Sequence, residues 1–404
     1  MRLLLLNHYA GGPSYGMEFR PWLLAREWVR AGHAVQVVAA SFSHLRRVQP
    51  RPGHEEIDGI AFRWIRAPRY RGNGIGRVVN IACFLLRVAL QARAWARGFR
   101  PDAVIASSTY PMDIWVARRI ARLAGAKLVH EIHDLWPASP MEIGGMSARH
   151  PFIRLCQKAE DDACRDADVV ISMLPRVAEH LAAHGLDLRK LHVVPNGIAP
   201  EDWADAPAPL EAAIAGRIAE ARTAGRLVVV YAGAHGAPNA LDPLLDAAAL
   251  LRTEPFSFVL VGDGHEKARL ARRVADEGLE EVALFPPIAK AAVPALLAQA
   301  DIAWLGWRRH ALYRFGIAPN KLMDYMMAGC AVLHSVEAGN DPVAESGCGL
   351  TVAAENPTAL AEGLRRLAAA GAHERRAMGA RGRAYVLERH AYPMLARRFI
   401  EAIE

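Results

Sequence analysis

The residues best placed to do chemistry lie between His310 and Leu333, HALYRFGIAPNKLMDYMMAGCAVL. A loop through Phe315-Gly316-Ile317 runs into Pro319-Asn320. A short helix is expected from Lys321 to Ala328, stopped by Gly329 and followed by an apolar strand from Ala331 to Leu333. Asn320 fits an N-cap and Gly329 a helix-ending position. Such a helix aims free N–H groups and the positive end of its dipole at whatever precedes it, which suits a diphosphate. Lys321 adds a full positive charge. Asp324, one turn in, only accepts hydrogen bonds and suits a pair of sugar hydroxyls. The plainer reading is that a helix favours an acid in its first turn for its own stability.

These residues need a scaffold, and the rest of the chain reads as one. In the first half, strand candidates are Leu3–Leu6, Val35–Ala40, Ala103–Ala106, Lys127–Glu131, Val169–Met173 and His192–Val194. In the second half they are Leu227–Tyr231, Ser257–Val261, Val282–Phe285, Ile302–Leu305, Ala331–Leu333 and Leu350–Val352. Helical patterns such as 241–251, 265–277 and 357–370 separate most of them. Strand–helix alternation predicts parallel sheets covered on both faces. Two such series predict an α/β chain of two Rossmann-like domains, with ligands at the carboxyl ends of strands. The boundary is expected at Pro195-Asn196-Gly197, a turn signal after a strand. The Ala/Pro-rich run 204–209 fits a surface connection.

Composition narrows the class. A chain of 404 residues, 52% hydrophobic, can fill two cores. No apolar run approaches the length of a membrane-spanning helix, and the four-residue run opening MRLLLLNHYAGG is too short for a signal peptide. The five cysteines, at 83, 156, 164, 330 and 348, are scattered and odd in number, which argues for a reduced cytoplasmic protein and against a zinc site. The net charge of +7 is unevenly placed: from Gly59 to Pro101 there are nine arginines and no acid. Within that stretch 78–90 reads VVNIACFLLRVAL. One reading is a buried helix with basic ends. The favoured one is an interfacial element gripping anionic lipid, with Arg69, Arg71 and Arg77 at the membrane surface.

The run PNKLMDYMMAG resembles the donor-sugar-nucleotide motif of family 4 retaining glycosyltransferases, which have the GT-B fold. It is similar to the fucosamine-transferase-like branch of O-antigen and capsule biosynthesis. Asn7-His8-Tyr9 followed by Gly11-Gly12, Arg30-Ala31-Gly32-His33-Ala34-Val35, His133-Asp134-Leu135-Trp136-Pro137 and Val194-Pro195-Asn196-Gly197-Ile198 resemble segments of that family in the same order. So do Tyr231-Ala232-Gly233 and Val261-Gly262-Asp263-Gly264.

The resemblance implies two facing domains with the active site in the cleft: residues 1–196 on the acceptor side, residues 197–383 binding the donor, and a C-terminal helix, 384–404, returning to the first. It implies that Asp324 holds the ribose and Lys321 the diphosphate. The amides of Gly316 and Ile317 would touch phosphate or sugar, Tyr313 would pack on the sugar, and Ile288 would face the base with its main chain. Gly233 would let the diphosphate approach, as would Gly11 and Gly12 in the first domain. His133 would bond the donor sugar, oriented by Asp134, as the catalytic pair.

The expected donor is a UDP-sugar, N-acetylated and fucosamine-like, and the acceptor a polyprenyl-diphosphate-linked or other lipid-linked saccharide. No metal, cofactor or nucleic acid is expected. The expected location is the inner face of the cytoplasmic membrane. Two departures stand out. The first acid of the family's usual pair, eight residues before Asp324, is Gly316. An Arg/Lys pair common after the Gly233 turn is replaced by Ala234-His235-Gly236-Ala237-Pro238-Asn239. Two rivals therefore stay open: a UDP-N-acetylglucosamine 2-epimerase on the same fold, and an inactive sugar-nucleotide-binding protein.

Overall fold

The computed structural model describes residues 1–72, 74–204 and 206–404. The expected connection at 204–209 includes Asp205, outside the described residues. The chain divides into two compact units, one of residues 1–196 with 392–404, the other of residues 197–391.

The first unit carries eight strands: β1 (Arg2–Leu6), β2 (Ala34–Ala40), β3 (Gly53–Ile57), β4 (Ile60–Ile65), β5 (Ala103–Ala106), β6 (Lys127–Ile132), β7 (Val169–Ser172) and β8 (Leu191–Val193). Their order is β3-β4-β2-β1-β5-β6-β7-β8, parallel except for the β3–β4 hairpin. The run Leu3-Leu4-Leu5-Leu6 is wholly buried because helices cover both faces of a parallel sheet. Helices Ile75–Leu90 and Asp113–Ala124 put Ile81, Phe84, Val88, Ile114 and Ile120 into the same core as Leu4 and Leu6.

The second unit carries β9 (Leu227–Ala232), β10 (Phe256–Val261), β11 (Val282–Phe285), β12 (Ile302–Gly306), β13 (Ala331–Ser335) and β14 (Gly349–Thr351), all parallel. Their order, β11-β10-β9-β12-β13-β14, runs outward in both directions from the β9–β12 pair.

Two features differ from expectation. The β3–β4 hairpin was not foreseen, although Asp58-Gly59 between alternating residues is a strong hairpin signal. Both turn residues take positive φ, 51° and 75°. The polar edge strand His54-Glu55-Glu56 hid it. The C-terminal helix expected over 384–404 is two helices. Gly371–Arg389 belongs to the second unit, and only Tyr392–Ile403 packs on the first. Pro393 has no N–H to continue the earlier helix. The final helix is held by Trp28, whose indole donates to the Ala396 carbonyl at 3.1 Å and whose ring meets Phe399 edge-on at 5.0 Å.

Candidate active site

In the second sheet, chain connections leave β9 and β12 in opposite directions, and a crevice opens beyond the carboxyl ends of such a pair. Loop 233–240 follows β9. Loop 307–319 and the helix Asn320–Met327 follow β12. This switch point gathers the donor-side residues expected from sequence.

Lys321 is the centre of the arrangement. Its ammonium donates to the Asn239 side-chain oxygen at 2.6 Å and to the Tyr231 hydroxyl at 3.1 Å, and lies 4.8 Å from the Tyr231 ring centroid. Among the described residues no carboxylate forms an ion pair with it. Burial pulls its pKa down from 10.5 to about 8. A largely buried ammonium without a counter-ion is a site made for an anion. Gly233 makes room for it: a Cβ there would lie 3.0 Å from both the Lys321 nitrogen and the Tyr231 oxygen. The Tyr325 hydroxyl, from the same helix, accepts from the Ala232 amide at 3.0 Å and fastens the helix to the end of β9.

Asp324 is buried, and its two oxygens accept from the Lys290 ammonium at 2.6 and 2.5 Å. Burial raises its pKa, and Lys290 opposes the rise. Lys290 was not foreseen; it sits two residues beyond Ile288, which packs on the second unit's core. Tyr313 packs against Trp307 with tilted rings, 4.9 Å between centroids.

Several backbone assignments need correction. Asn320 is the first residue of its helix and is exposed; Pro319 is the N-cap, with no side-chain bond to the first turn. The Gly316 amide donates to the Tyr313 carbonyl at 2.9 Å, and the Ile317 amide to the Asn340 side chain at 2.7 Å. Neither N–H is free as expected: that of Gly316 closes a turn within the loop, and that of Ile317 ties the loop to Asn340 beyond β13. Lys267 caps the Gly262 and Phe285 carbonyls and is structural. His235 does not supply the missing cation either: burial, then Lys267, lowers its pKa to about 4.

In the first unit the switch point lies between β1 and β5. Gly11 and Gly12 are buried, and their amides donate to the Glu18 and Gly16 carbonyls at 2.8 and 3.2 Å. A Cβ on Gly11 would lie 1.9 Å from the Gly16 oxygen. Loop packing requires the glycine at 11 but not at 12, where a Cβ would meet nothing closer than 4.0 Å, and the next helix starts only at Arg20.

His133 is held by residues the sequence reading passed over. Its Nε2 lies 2.9 Å from Ser107 Oγ and 3.2 Å from Glu131 Oε2. The Ser107 hydroxyl donates to the same carboxylate at 2.6 Å. Arg20 pairs with the other Glu131 oxygen at 2.9 Å and donates to the Val194 and Pro195 carbonyls. Burial opposes ionisation of Glu131, but Arg20 and His133 outweigh it and hold the carboxyl well below its ordinary range. Asp134 does not orient His133: its carboxylate accepts from Ser139, and burial raises its pKa. The signal for Glu131 was available, since an acid at the end of a buried strand needs a partner.

Of the arginines assigned to a membrane surface, Arg69 and Arg71 are exposed. Arg77 is not: it is half-buried, donates to the Tyr9 hydroxyl at 3.1 and 3.0 Å, and lies over the Trp136 ring.

Residues 15–197 match the glycosyl transferase 4-like domain, and residues 226–370 match the glycosyl transferases group 1 domain. A protein of Escherichia coli (strain K12), provisionally described as the colanic acid biosynthesis glycosyl transferase WcaI, is 24% identical over 87% of this chain and 90% of its own. Among solved structures, sucrose-phosphate synthase of Thermosynechococcus elongatus superposes with a TM-score of 0.73 at 16% identity, covering 99% of this chain and 97% of that one. HepE of Anabaena in complex with UDP gives 0.69 at 16% identity, covering 99% of both chains. WaaG, a glycosyltransferase involved in lipopolysaccharide biosynthesis, gives 0.67 at 15%, again over 99% of both. Two glycosyltransferase domains in succession, on two parallel-sheet units that superpose end to end on such enzymes, make this chain a glycosyltransferase of GT-B fold.

Proposed function

We propose that the protein is a retaining, metal-independent transferase that moves a sugar from a UDP-sugar to a lipid-linked saccharide in surface polysaccharide synthesis, O-antigen or capsule. An N-acetylated, fucosamine-like sugar is the first candidate donor. The observation that carries the reading is the largely buried Lys321 ammonium at the second sheet's switch point, with no carboxylate paired to it among the described residues. A diphosphate supplies the missing charge, and the ammonium then stabilises its departure. The first turn of helix Asn320–Met327, without a side-chain cap, adds N–H groups to the same anion.

Asp324 accepts the ribose hydroxyls once Lys290, itself largely exposed, swings away. His133, held through Nε2 by Glu131 and Ser107, hydrogen-bonds the donor sugar through its other ring nitrogen. The departing phosphate takes the acceptor's proton, so no protein nucleophile is required. HepE, whose structures hold UDP, UDP with glucose, and UDP-glucose, supports a nucleotide-sugar donor. The colanic acid and lipopolysaccharide assignments of the two relatives support a polysaccharide pathway.

A place at the inner face of the cytoplasmic membrane is supported by helix Ile75–Leu90. No single helix among the described residues is long and apolar enough to cross a membrane. This helix buries Asn80, Ile81, Phe84 and Val88 and turns Ile75, Val78, Val79, Leu86 and Leu90 outward. Exposed arginines 66, 69, 71, 87, 93, 97 and 100 lie within or flank that helix along the chain. An exposed apolar stripe in an arginine-rich segment suits the boundary of an anionic leaflet.

The test is UDP release from a panel of UDP-sugars, with and without a short lipid-linked acceptor and with chelator present. Acceptor-dependent release with retained anomeric configuration is expected. Conversion of the UDP-sugar without acceptor would establish the isomerase instead, and binding without turnover on any acceptor the inactive protein.

A further inference from the structure

Outside the Glu131 network, the first unit brings together Glu160, His180 and His184, whose ligand atoms all lie within 4.8 Å of one another. We propose that these three side chains form a binding site for a divalent transition-metal ion of the zinc type, which ties two helices of this unit together.

The sequence arranges the histidines for this. His180 and His184 stand four residues apart on the short helix Ala178–Ala183 and the residue that ends it, so their rings lie one above the other on one face. Their centroids are 4.6 Å apart. Glu160 comes from the neighbouring helix Pro151–Asp166 and is 3% exposed. Its Oε1 lies 2.8 Å from His180 Nε2, and its Oε2 lies 3.9 Å from His184 Nε2.

The other nitrogen of His184 shows how the site is oriented. Nδ1 lies 2.8 Å from Asp161 Oδ1, and a carboxylate oxygen accepts there. The proton therefore belongs on Nδ1, and Nε2 presents its lone pair toward Glu160. A carboxylate behind a ligating histidine fixes the ring in this way at many metal sites. The Gln157 amide nitrogen donates to Glu160 and Asp161 at 2.9 Å each and lies 3.0 Å from His184 Nδ1, so it braces both acids.

Two imidazoles and one carboxylate are a zinc ligand set with one position left for water. A tetrahedral ion with bonds of about 2.0–2.2 Å spaces its donors about 3.3–3.6 Å apart. The 2.8 Å separation has to open and the 3.9 Å one to close on metal binding. Both histidines are partly exposed, at 18% and 26%, so an ion can enter. The scattered cysteines, which argued against a zinc site, play no part in this one.

The experiment uses the full-length chain, freed of any affinity tag and stripped of metal. Equimolar Co²⁺ should give the visible band of a four-coordinate ion, saturating at one per chain, and Zn²⁺ should abolish it. Zn²⁺ should also raise the unfolding midpoint of the wild type but not of the His180→Ala/His184→Ala variant. Asp161→Asn should weaken Zn²⁺ binding by about 10- to 100-fold, the usual effect of losing a partner behind a ligand. If the double variant does not fold without metal, His184→Gln and the wild-type cobalt spectrum still decide. No stoichiometric binding by the wild type, or binding unchanged in the folded variants, would overturn the proposal and leave a hydrogen-bonded cluster only.

Discussion

Replacing Lys321 with Met should weaken UDP binding while making the free protein slightly more stable. The ammonium is held near pKa 8, against 10.5 in an unfolded chain, by burial. At about 1.4 kcal/mol per pH unit, keeping it charged costs the folded state about 3 kcal/mol. Below pH 8 both states are protonated and the cost is fully felt. Between about 8 and 10.5 the folded amine loses its proton while the unfolded one keeps it, so wild-type stability rises with pH in that window. Methionine removes the cost but leaves Tyr231 and Asn239 without their donor, at about 1 kcal/mol each. The expected net gain near pH 7 is about 1 kcal/mol.

Binding goes the other way. A bond between charged groups contributes about 1.5–3 kcal/mol, so the variant should lose about 10- to 150-fold in UDP affinity. The wild type should bind with constant affinity from pH 7 to near 8, then lose about tenfold per unit above it. The diphosphate itself is fully ionised there, since a phosphate's second pKa is about 6. Calorimetry at several pH values, in buffers of different ionisation enthalpy, measures both the affinity and the proton taken up. An Lys321→Met variant that binds UDP as tightly as the wild type, with the same pH profile, would refute the assignment. So would a variant clearly less stable than the wild type when free of ligand.

Asp324→Asn should reduce UDP affinity by about 10- to 150-fold in calorimetry, with less than about 1 kcal/mol lost in denaturant unfolding, since Lys290 is largely exposed. His133→Ala should lower kcat more than it weakens UDP binding, because its contact is assigned to the transferring sugar; equal losses would move it away from that sugar. Glu131→Gln should cost about 3–5 kcal/mol of stability by stranding the buried Arg20, and an unfolding midpoint close to that of the wild type would argue against the pair. Wild-type protein should sediment with anionic vesicles in a salt-sensitive way, and Arg69→Gln/Arg71→Gln or Leu86→Gln/Leu90→Gln should reduce this, whereas failure to sediment even at low salt would end the membrane reading.

The architecture was legible in the chain because it is written in local patterns. All twelve strand candidates fall on strands, and the two alternating series correspond to two parallel sheets. Short runs of three to six residues between helical patterns leave few other ways to bury themselves. Even the missed hairpin had a local signal in Asp58-Gly59. The motif around Lys321 and Asp324 was equally legible, since helix start, charge and acid lie within five residues.

What the chain alone did not determine is which groups answer one another. Lys321 meets Tyr231 across 90 residues, Asp324 meets Lys290 across 34, and Glu131 meets Arg20 across 111. No periodicity encodes such pairs; they form because the strand order places those strand ends side by side. The amides of Gly316 and Ile317 were misassigned for the same reason. Sequence shows that a glycine permits close approach, but only the folded loop decides whether its own carbonyls or a ligand will take the N–H. Fold and motif follow from short-range burial and propensity, which neighbours along the chain settle. The charge environment of each functional group depends on residues far away in sequence, and tertiary structure alone brings them together.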